Sequence, residues 1–273
     1  MTYGVRGAAV RYGATATLDD VTVEVPSGSV VAVVGGDGAG KTTLLRAVVG
    51  EVALDAGTVS APDAQGIGYL TASAGSWAAL TVRQNLDFVA GVYGVTGDAL
   101  ESRRAELLER AGLVEAADRL ASQLSGGMRR KLGFSMAMVH RPELLVLDEP
   151  STGVDPVSRI DLWRLVTQAA ASGAAVLMST TYLDEAERAA SLVVLDRGRA
   201  LAQGSWDDVR ASFAGTVTSG AEPVRRDWSW RRGRVVHEYW PEGAQVRGDV
   251  IAPDLEDVVI ALSLARRREA VAS

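Results

Sequence analysis

The residues best equipped to do chemistry lie in two short stretches. The first is Gly35-Gly36-Asp37-Gly38-Ala39-Gly40-Lys41-Thr42-Thr43, which follows the apolar run Val30-Val31-Ala32-Val33-Val34 and leads into Leu44-Leu45-Arg46-Ala47. A buried strand that breaks into a GxxxxGK[ST] turn and resumes as a helix is the arrangement of a phosphate-binding loop. Backbone N–H groups of such a loop and of the helix N-terminus converge on an anion. In that setting Lys41 reaches the β- and γ-phosphates of a nucleotide and the Thr42 hydroxyl holds Mg²⁺. The competing reading, a glycine-rich turn that binds nothing, is weakened by the strand before it and the helix after it.

The second stretch is Leu144-Leu145-Val146-Leu147-Asp148-Glu149-Pro150. A carboxylate at the carboxyl end of a buried strand sits where α/β sheets bind ligands. Asp148 suits Mg²⁺ held through its water shell, and Glu149 can orient an attacking water. Between the two stretches, Leu124-Ser125-Gly126-Gly127-Met128 precedes a helix carrying Arg129, Arg130 and Lys131. Alone it reads as an ordinary helix cap. Its place between two nucleotide elements makes it a second anion site.

The elements that must position these groups follow from pattern. Val5 to Val25 reads as antiparallel strands broken at Gly7, Gly13 and Asp19-Asp20. Thr81-Val82-Arg83-Gln84 predicts a capping box opening a helix through Tyr93. Asp98 is expected to cap a second helix with Leu100, Arg104, Leu107, Leu108 and Ala111 in register. Asp155-Pro156 opens another, Leu183 to Ala190 a further one, and Ala174 to Met178 forms a buried strand. Leu192 to Leu201 reads as a hairpin. Strands alternating with helices point to an α/β fold with a mostly parallel sheet. After about Phe213 the composition shifts to Gly, Thr and Ser and then to the Trp- and Arg-rich Trp228 to Trp240. Asp254 is expected to cap a last helix with the stripe Leu255, Val258, Val259 and Leu262.

Bulk composition sets the limits. The 273 residues are 47% apolar, enough for a sizeable aliphatic core, with a net charge of −6 that argues against broad binding to nucleic acid or anionic lipid. The chain has no Cys, which removes disulfides and thiolate chemistry. No apolar run approaches the roughly 20 residues of a membrane helix, and Met1 to Arg6 lacks the apolar core of a signal peptide. The expected setting is cytoplasmic, with any membrane role reached through a partner.

The strings GGDGAGKTT, LSGGM, LLVLDEP, STGVD and STTYLDEAE, in this order, resemble the ATP-binding cassette of ABC transporters over roughly Gly4 to Phe213. SGGMRRKL, GVDPVSR and the later Leu255-Glu256-Asp257-Val258 are most similar to bacterial exporter cassettes with separate membrane subunits. The resemblance implies a P-loop NTPase with an N-terminal antiparallel β subdomain and a helical subdomain at about 76–141 within a cassette of 1–215. A small C-terminal α+β appendage would occupy 216–273. It also implies ATP and Mg²⁺ as ligands, Tyr12 stacking on adenine, Glu149 as catalytic base and Asp155 in a dimer-contacting loop. Two cassettes would meet head to tail, so Ser125, Gly126 and Gly127 would complete the partner's ATP site. A separate integral membrane subunit would hold the chain at the inner face of the cell membrane.

At two positions the chain departs from the family's pattern. Ala72 stands where the family usually has Gln, and Thr181 where it usually has His. Losing one donor aimed at transition-state charge typically costs roughly 10²–10³ in rate. A weakened own site follows, and with it an asymmetric pair with a second, different cassette as an alternative to a homodimer. A non-hydrolysing ATP-binding regulator is a further reading, opposed by the retained Glu149. A nucleic-acid-associated cassette is another, resting on Arg225, Arg226, Trp228, Trp230, Arg231 and Arg232. Trp77 is open between a core role and an interface anchor.

Overall fold

The computed structural model describes residues 1–73 and 75–272. The centre is a sheet whose strands are β3 (Val30–Val34), β5 (Ile67–Leu70), β6 (Leu144–Asp148), β7 (Ala175–Thr180), β8 (Ser191–Asp196) and β9 (Arg199–Gly204). Their spatial order is β5-β6-β7-β3-β8-β9, parallel throughout except for the antiparallel β8–β9 hairpin. Every residue of β3, β6 and β7 is buried. That is why these strands read as unbroken apolar runs, as parallel strands covered on both faces do.

The pleat divides the strands between two cores. Val30, Ala32, Val34, Leu145, Leu147, Val176 and Met178 face one. Val31, Val33, Leu144, Val146, Ala175 and Leu177 face the other. The second core is closed by α1 (Lys41–Val48) and by an antiparallel sheet of β2 (Thr15–Pro26), β1 (Thr2–Tyr12) and β4 (Ala56–Ser60). The first is closed by α2 (Val82–Val92), α3 (Gly97–Ala111), α4 (Gly126–Met138) and α5 (Pro156–Ala171).

After the short α6 (Leu183–Ala186) and α7 (Trp206–Ser212) comes a separate antiparallel sheet. Its strands are β10 (Thr216–Gly220), β11 (Ser229–Arg232), β12 (Val235–Trp240) and β13 (Asp249–Ile251), in the order β11-β12-β10-β13. The final helix α8 (Leu255–Ala272) returns Leu255 and Val258 to the first core. Asp254 caps it as expected, accepting from Asp257 N–H at 2.9 Å.

Two helix boundaries differ from expectation. Thr96, not Asp98, is the N-cap of α3, and Asp98 lies in its first turn, where its charge complements the helix dipole. The helix expected over Leu183 to Ala190 ends at Ala186. Glu185 is drawn into the interior by partners on other elements, and the Ala190 N–H pairs with the Val30 carbonyl at 3.0 Å, delivering the chain to β8.

The Trp- and Arg-rich segment is engaged within its own sheet. The Arg225 guanidinium lies 3.9 Å from the centre of the Trp240 ring and donates to Glu238 at 3.0 Å. Arg232 pairs with Asp254, Glu256 and Asp257 at the start of α8. His237 is bonded to Asp257 at 2.7 Å.

Candidate nucleotide site

The carboxyl ends of four adjacent parallel strands carry the chemistry. β5 runs into Thr71-Ala72, β6 into Asp148-Glu149, β7 into Thr180-Thr181 and β3 into Gly35. Pairing Leu70 with Leu147, Asp148 with Ser179 and Val34 with Thr180 puts these ends in one row. Neighbouring strands lie about 4.8 Å apart. The strands leading to positions 72 and 181 therefore flank the strand leading to Glu149.

The phosphate loop closes on itself through Lys41. This side chain is only 6% exposed, and its Nζ donates to the carbonyls of Gly35 at 2.8 Å and Gly36 at 3.4 Å. The same ammonium pairs with Glu149 Oε1 at 3.3 Å. Gly40 precedes α1 at φ 105°, a left-handed conformation that strains any side chain, and it supplies no side-chain cap to the helix. The first backbone N–H groups of α1 thus have no capping side chain. A Cβ at Gly36 or Gly38 would meet nothing within 4 Å, so the loop is open on that side. An uncapped helix start, a buried ammonium and open space fit a phosphate chain.

The metal-binding expectation rests on one oxygen. Asp148 Oδ1 accepts from the Thr42 hydroxyl at 3.3 Å and from the Ser179 hydroxyl at 2.6 Å. Among the described residues no cluster of three or more His, Cys, Asp or Glu could hold a metal. Thr42 and Asp148 offer a partial oxygen shell, which suits Mg²⁺, an ion that keeps waters and takes phosphate oxygens.

Glu149 is held in an unusual conformation. Its φ is 48°, in the left-handed region, at a cost of about 1–3 kcal/mol for a residue with a side chain. Its N–H is held by Ser179, through the hydroxyl at 2.9 Å and the carbonyl at 3.2 Å. Its Oε2 accepts from the Thr152 hydroxyl at 3.0 Å. Arg130 on α4 donates to the Thr71 carbonyl at 3.3 Å, bridging the Ala72 segment to the helix after Ser125. Burial lowers the pKa of its guanidinium, against the pull of Asp148 and Glu149.

The other expected residues lie around this centre. Tyr12, 53% exposed, ends β1 on the hairpin that reaches the phosphate loop. Thr17 of that hairpin puts its carbonyl 2.7 Å from where a Gly40 Cβ would stand. Ser125 is the N-cap of α4, accepting from Met128 N–H at 3.3 Å. Gly127 packs so closely on α5 that a Cβ there would lie 2.4 Å from Ser158 Oγ. Asp155 caps α5, and the Ser158 N–H and hydroxyl, with the Val157 N–H, hold its carboxyl below the usual range. Gly126 and Gly127 thus lie against the Asp155 loop, and Ser125 caps the helix that carries them.

Several structural partners carry no motif of their own. Ser179 and Thr152 are hydroxyls inside strings already singled out, and only the contact identifies them. Asn85 is fully buried and holds the main chain of Trp77 through its N–H at 2.8 Å and its carbonyl at 3.1 Å. Trp77 itself is 43% exposed and meets Phe88, 51% exposed, edge to face. It is a surface residue.

Comparison with known proteins matches this arrangement. The ABC transporter family model matches residues 18–152. The probable multidrug ABC transporter ATP-binding protein YbhF of Escherichia coli is 39% identical over 70% of this chain, which spans 35% of that protein's length. The daunorubicin resistance ATP-binding protein DrrA2 of Streptomyces coeruleorubidus is 38% identical over 78% of this chain and 70% of its own length. The Nod factor export ATP-binding protein I of Ralstonia nicotianae is 36% identical over 73% of this chain and 66% of its own. A solved ATP-binding subunit of an ABC transporter superposes with a TM-score of 0.71 at 29% identity, covering 78% of this chain and 93% of that one. A bacterial ABC transporter cassette solved as a dimer, 20% identical with a TM-score of 0.67, shares the fold over 75% of this chain and 98% of its own. Likeness at this level, running through the phosphate loop and the acid-bearing strand alike, means that the chain belongs to the ABC transporter family as an ATP-binding cassette.

Proposed function

We propose that the chain binds and hydrolyses ATP to power export through a separate membrane subunit. The observation that carries this reading is the convergence of Lys41, Thr42, Asp148 and Glu149 at adjacent strand ends. Lys41 and the N–H groups of the loop hold the phosphate chain, and Tyr12 stacks on the base. Thr42 and Asp148 would hold Mg²⁺, which neutralises phosphate charge when bound. Glu149 orients the attacking water and accepts its proton. In the closed pair, Ser125, Gly126 and Gly127 reach the partner's nucleotide, and Asp155 lies at the seam. Export is the direction in the names of the Nod factor relative, and resistance is named for the daunorubicin one.

The own site is slow, because Ala72 and Thr181 beside Glu149 lack the longer donors usual in the family. The preferred assembly is therefore asymmetric. This chain's intact Ser125-Gly126-Gly127 completes a stronger site on a different cassette. The exposed Trp77–Phe88 pair, pinned by Asn85, supports docking of the membrane subunit, which would hold the chain at the cytoplasmic face. Among the described residues no helix is long and apolar enough to cross a membrane.

The deciding experiment compares ATPase activity of the protein with that of Glu149→Gln while ATP binding is measured in both. Turnover that vanishes in the variant, with binding intact, is the expected result. Binding without turnover in either protein favours the second reading, a regulatory cassette, which the Ala72 and Thr181 positions support.

A further inference from the structure

Each oxygen of the Glu149 carboxylate has its own partner: Oε1 faces Lys41 at 3.3 Å, and Oε2 accepts from the Thr152 hydroxyl at 3.0 Å. Lys41 has another task once phosphate enters the loop, which leaves Thr152 as the side chain that aims the carboxylate. Thr152 lies in an exposed turn held by two main-chain bonds, Thr152 N–H to Glu149 O and Val154 N–H to Ser151 O, both at 3.2 Å. Such a turn is too short to hold a side chain still without an anchor. The anchor is Ser151, whose hydroxyl donates to Glu185 Oε2 at 2.9 Å inside the protein.

Glu185 is 4% exposed and has three donors. Besides Ser151, the Thr180 hydroxyl reaches Oε2 at 2.7 Å and Arg159 Nε reaches Oε1 at 3.3 Å. A buried carboxylate persists only when it is paired and hydrogen-bonded in this way. Arg159 is fixed in turn, its guanidinium 3.6 Å from the centre of the Tyr182 ring and bonded to Asp184 at 2.9 Å. The carboxylate therefore straps together the end of β7 beside Thr181, the first turns of α5 and the turn bearing Thr152. None of these contacts passes through the Thr181 side chain.

The geometry points to Thr152 as the positioning residue for Glu149, with Glu185 setting Thr152 through Ser151. This rests on the reading of Glu149 as the hydrolytic base. At a site with Thr181 in place of the usual His, the hydroxyl of Thr152 orients the base, and the Glu185 strap keeps that orientation tied to the loop running to Asp155. A carboxylate that is free to rotate loses the alignment with water on which its contribution depends.

The test is steady-state ATPase on the full chain, with kcat and KM separated, ATP binding followed with a fluorescent analogue, and thermal midpoints recorded. Thr152→Val is expected to lower kcat about 10-fold or more with KM and binding within about twofold, the scale of a lost hydrogen bond to a charged group. Thr152→Ser is expected to restore kcat, and Ser151→Ala to lower it without lowering binding. Glu185→Gln should act like Ser151→Ala, and the latter decides if the former does not fold. Wild-type kcat in Thr152→Val, or a loss not rescued by Ser, overturns the positioning role. Wild-type turnover in Glu149→Gln overturns the assignment of the base, and no turnover in the wild-type chain overturns the hydrolytic reading on which the positioning role rests. The two failures are thus distinguishable.

Discussion

A single carboxylate concentrates the chemistry of this site, and its surroundings decide what it can deliver. Glu149 sits in the left-handed region with its N–H clamped by Ser179, so its backbone is fixed while its carboxylate is held by side chains. Ala72 and Thr181 flank it on neighbouring strands without offering a long donor. Thr181 itself is exposed, so a larger side chain there displaces no core. Thr181→His and Ala72→Gln are each expected to raise kcat, up to roughly 10²–10³ for a well-placed donor. The double variant should gain less than the product, because groups acting on one transition state are not additive. Unchanged turnover in all three variants would mean that these positions carry no deficit.

At the level of elements, the helical layer is tied to the sheet by a half-buried imidazole. His140, after α4, stacks on Tyr93 at the end of α2 with ring centres 3.6 Å apart and planes 2° from parallel. Its Nε2 meets the Ile67 carbonyl of β5 at 3.0 Å, so the neutral ring carries its proton there and Nδ1 is left buried without a partner. Burial lowers the pKa below the ordinary 6.5, and the charge of Arg103 adds to that, against the opposing bond to Ile67. Between the folded pKa and 6.5 the unfolded chain binds more protons than the folded one, so stability falls as pH drops through that window. Urea unfolding from pH 8 to about 5 should show a midpoint that is flat above the window and declines within it. His140→Phe, which keeps the stacking and cannot titrate, should decline less. An identical pH slope in both proteins would remove His140 from the account.

For the whole molecule, the two sets of expected site residues are held by different elements. Lys41, Thr42, Asp148 and Glu149 gather at the strand ends, whereas Gly126 and Gly127, just after the Ser125 cap, pack on the Asp155 loop and the start of α5. On the proposed reading a single copy offers one weakened site and one donor surface to a different cassette, an asymmetric pair. Mixing this chain with a cassette that retains Gln and His at the matching positions is expected to give ATPase above the sum of the two alone. No excess, together with self-association on ATP, would favour a homodimer. In the C-terminal sheet Arg225 is engaged with Glu238 and the Trp240 ring, and Arg232 with the acidic start of α8.

What sequence alone determined is what short-range physics determines. The phosphate loop is legible because a strand, a glycine turn and a helix start are contiguous, and β3, β6 and β7 are legible because burial on both faces demands unbroken apolar runs. Helix ends were less legible: Thr96 took the N-cap position expected of Asp98, and α6 stopped at Ala186, before the Ala190 N–H bonds to the Val30 carbonyl at the sheet. The contacts of Thr152, Ser179 and Glu185, and the exposure of Trp77, came only from the folded chain. A lone hydroxyl or carboxylate carries no pattern, since its partner is set by which strands lie side by side. Strand order is fixed by packing over the entire core, so no local window of residues contains it.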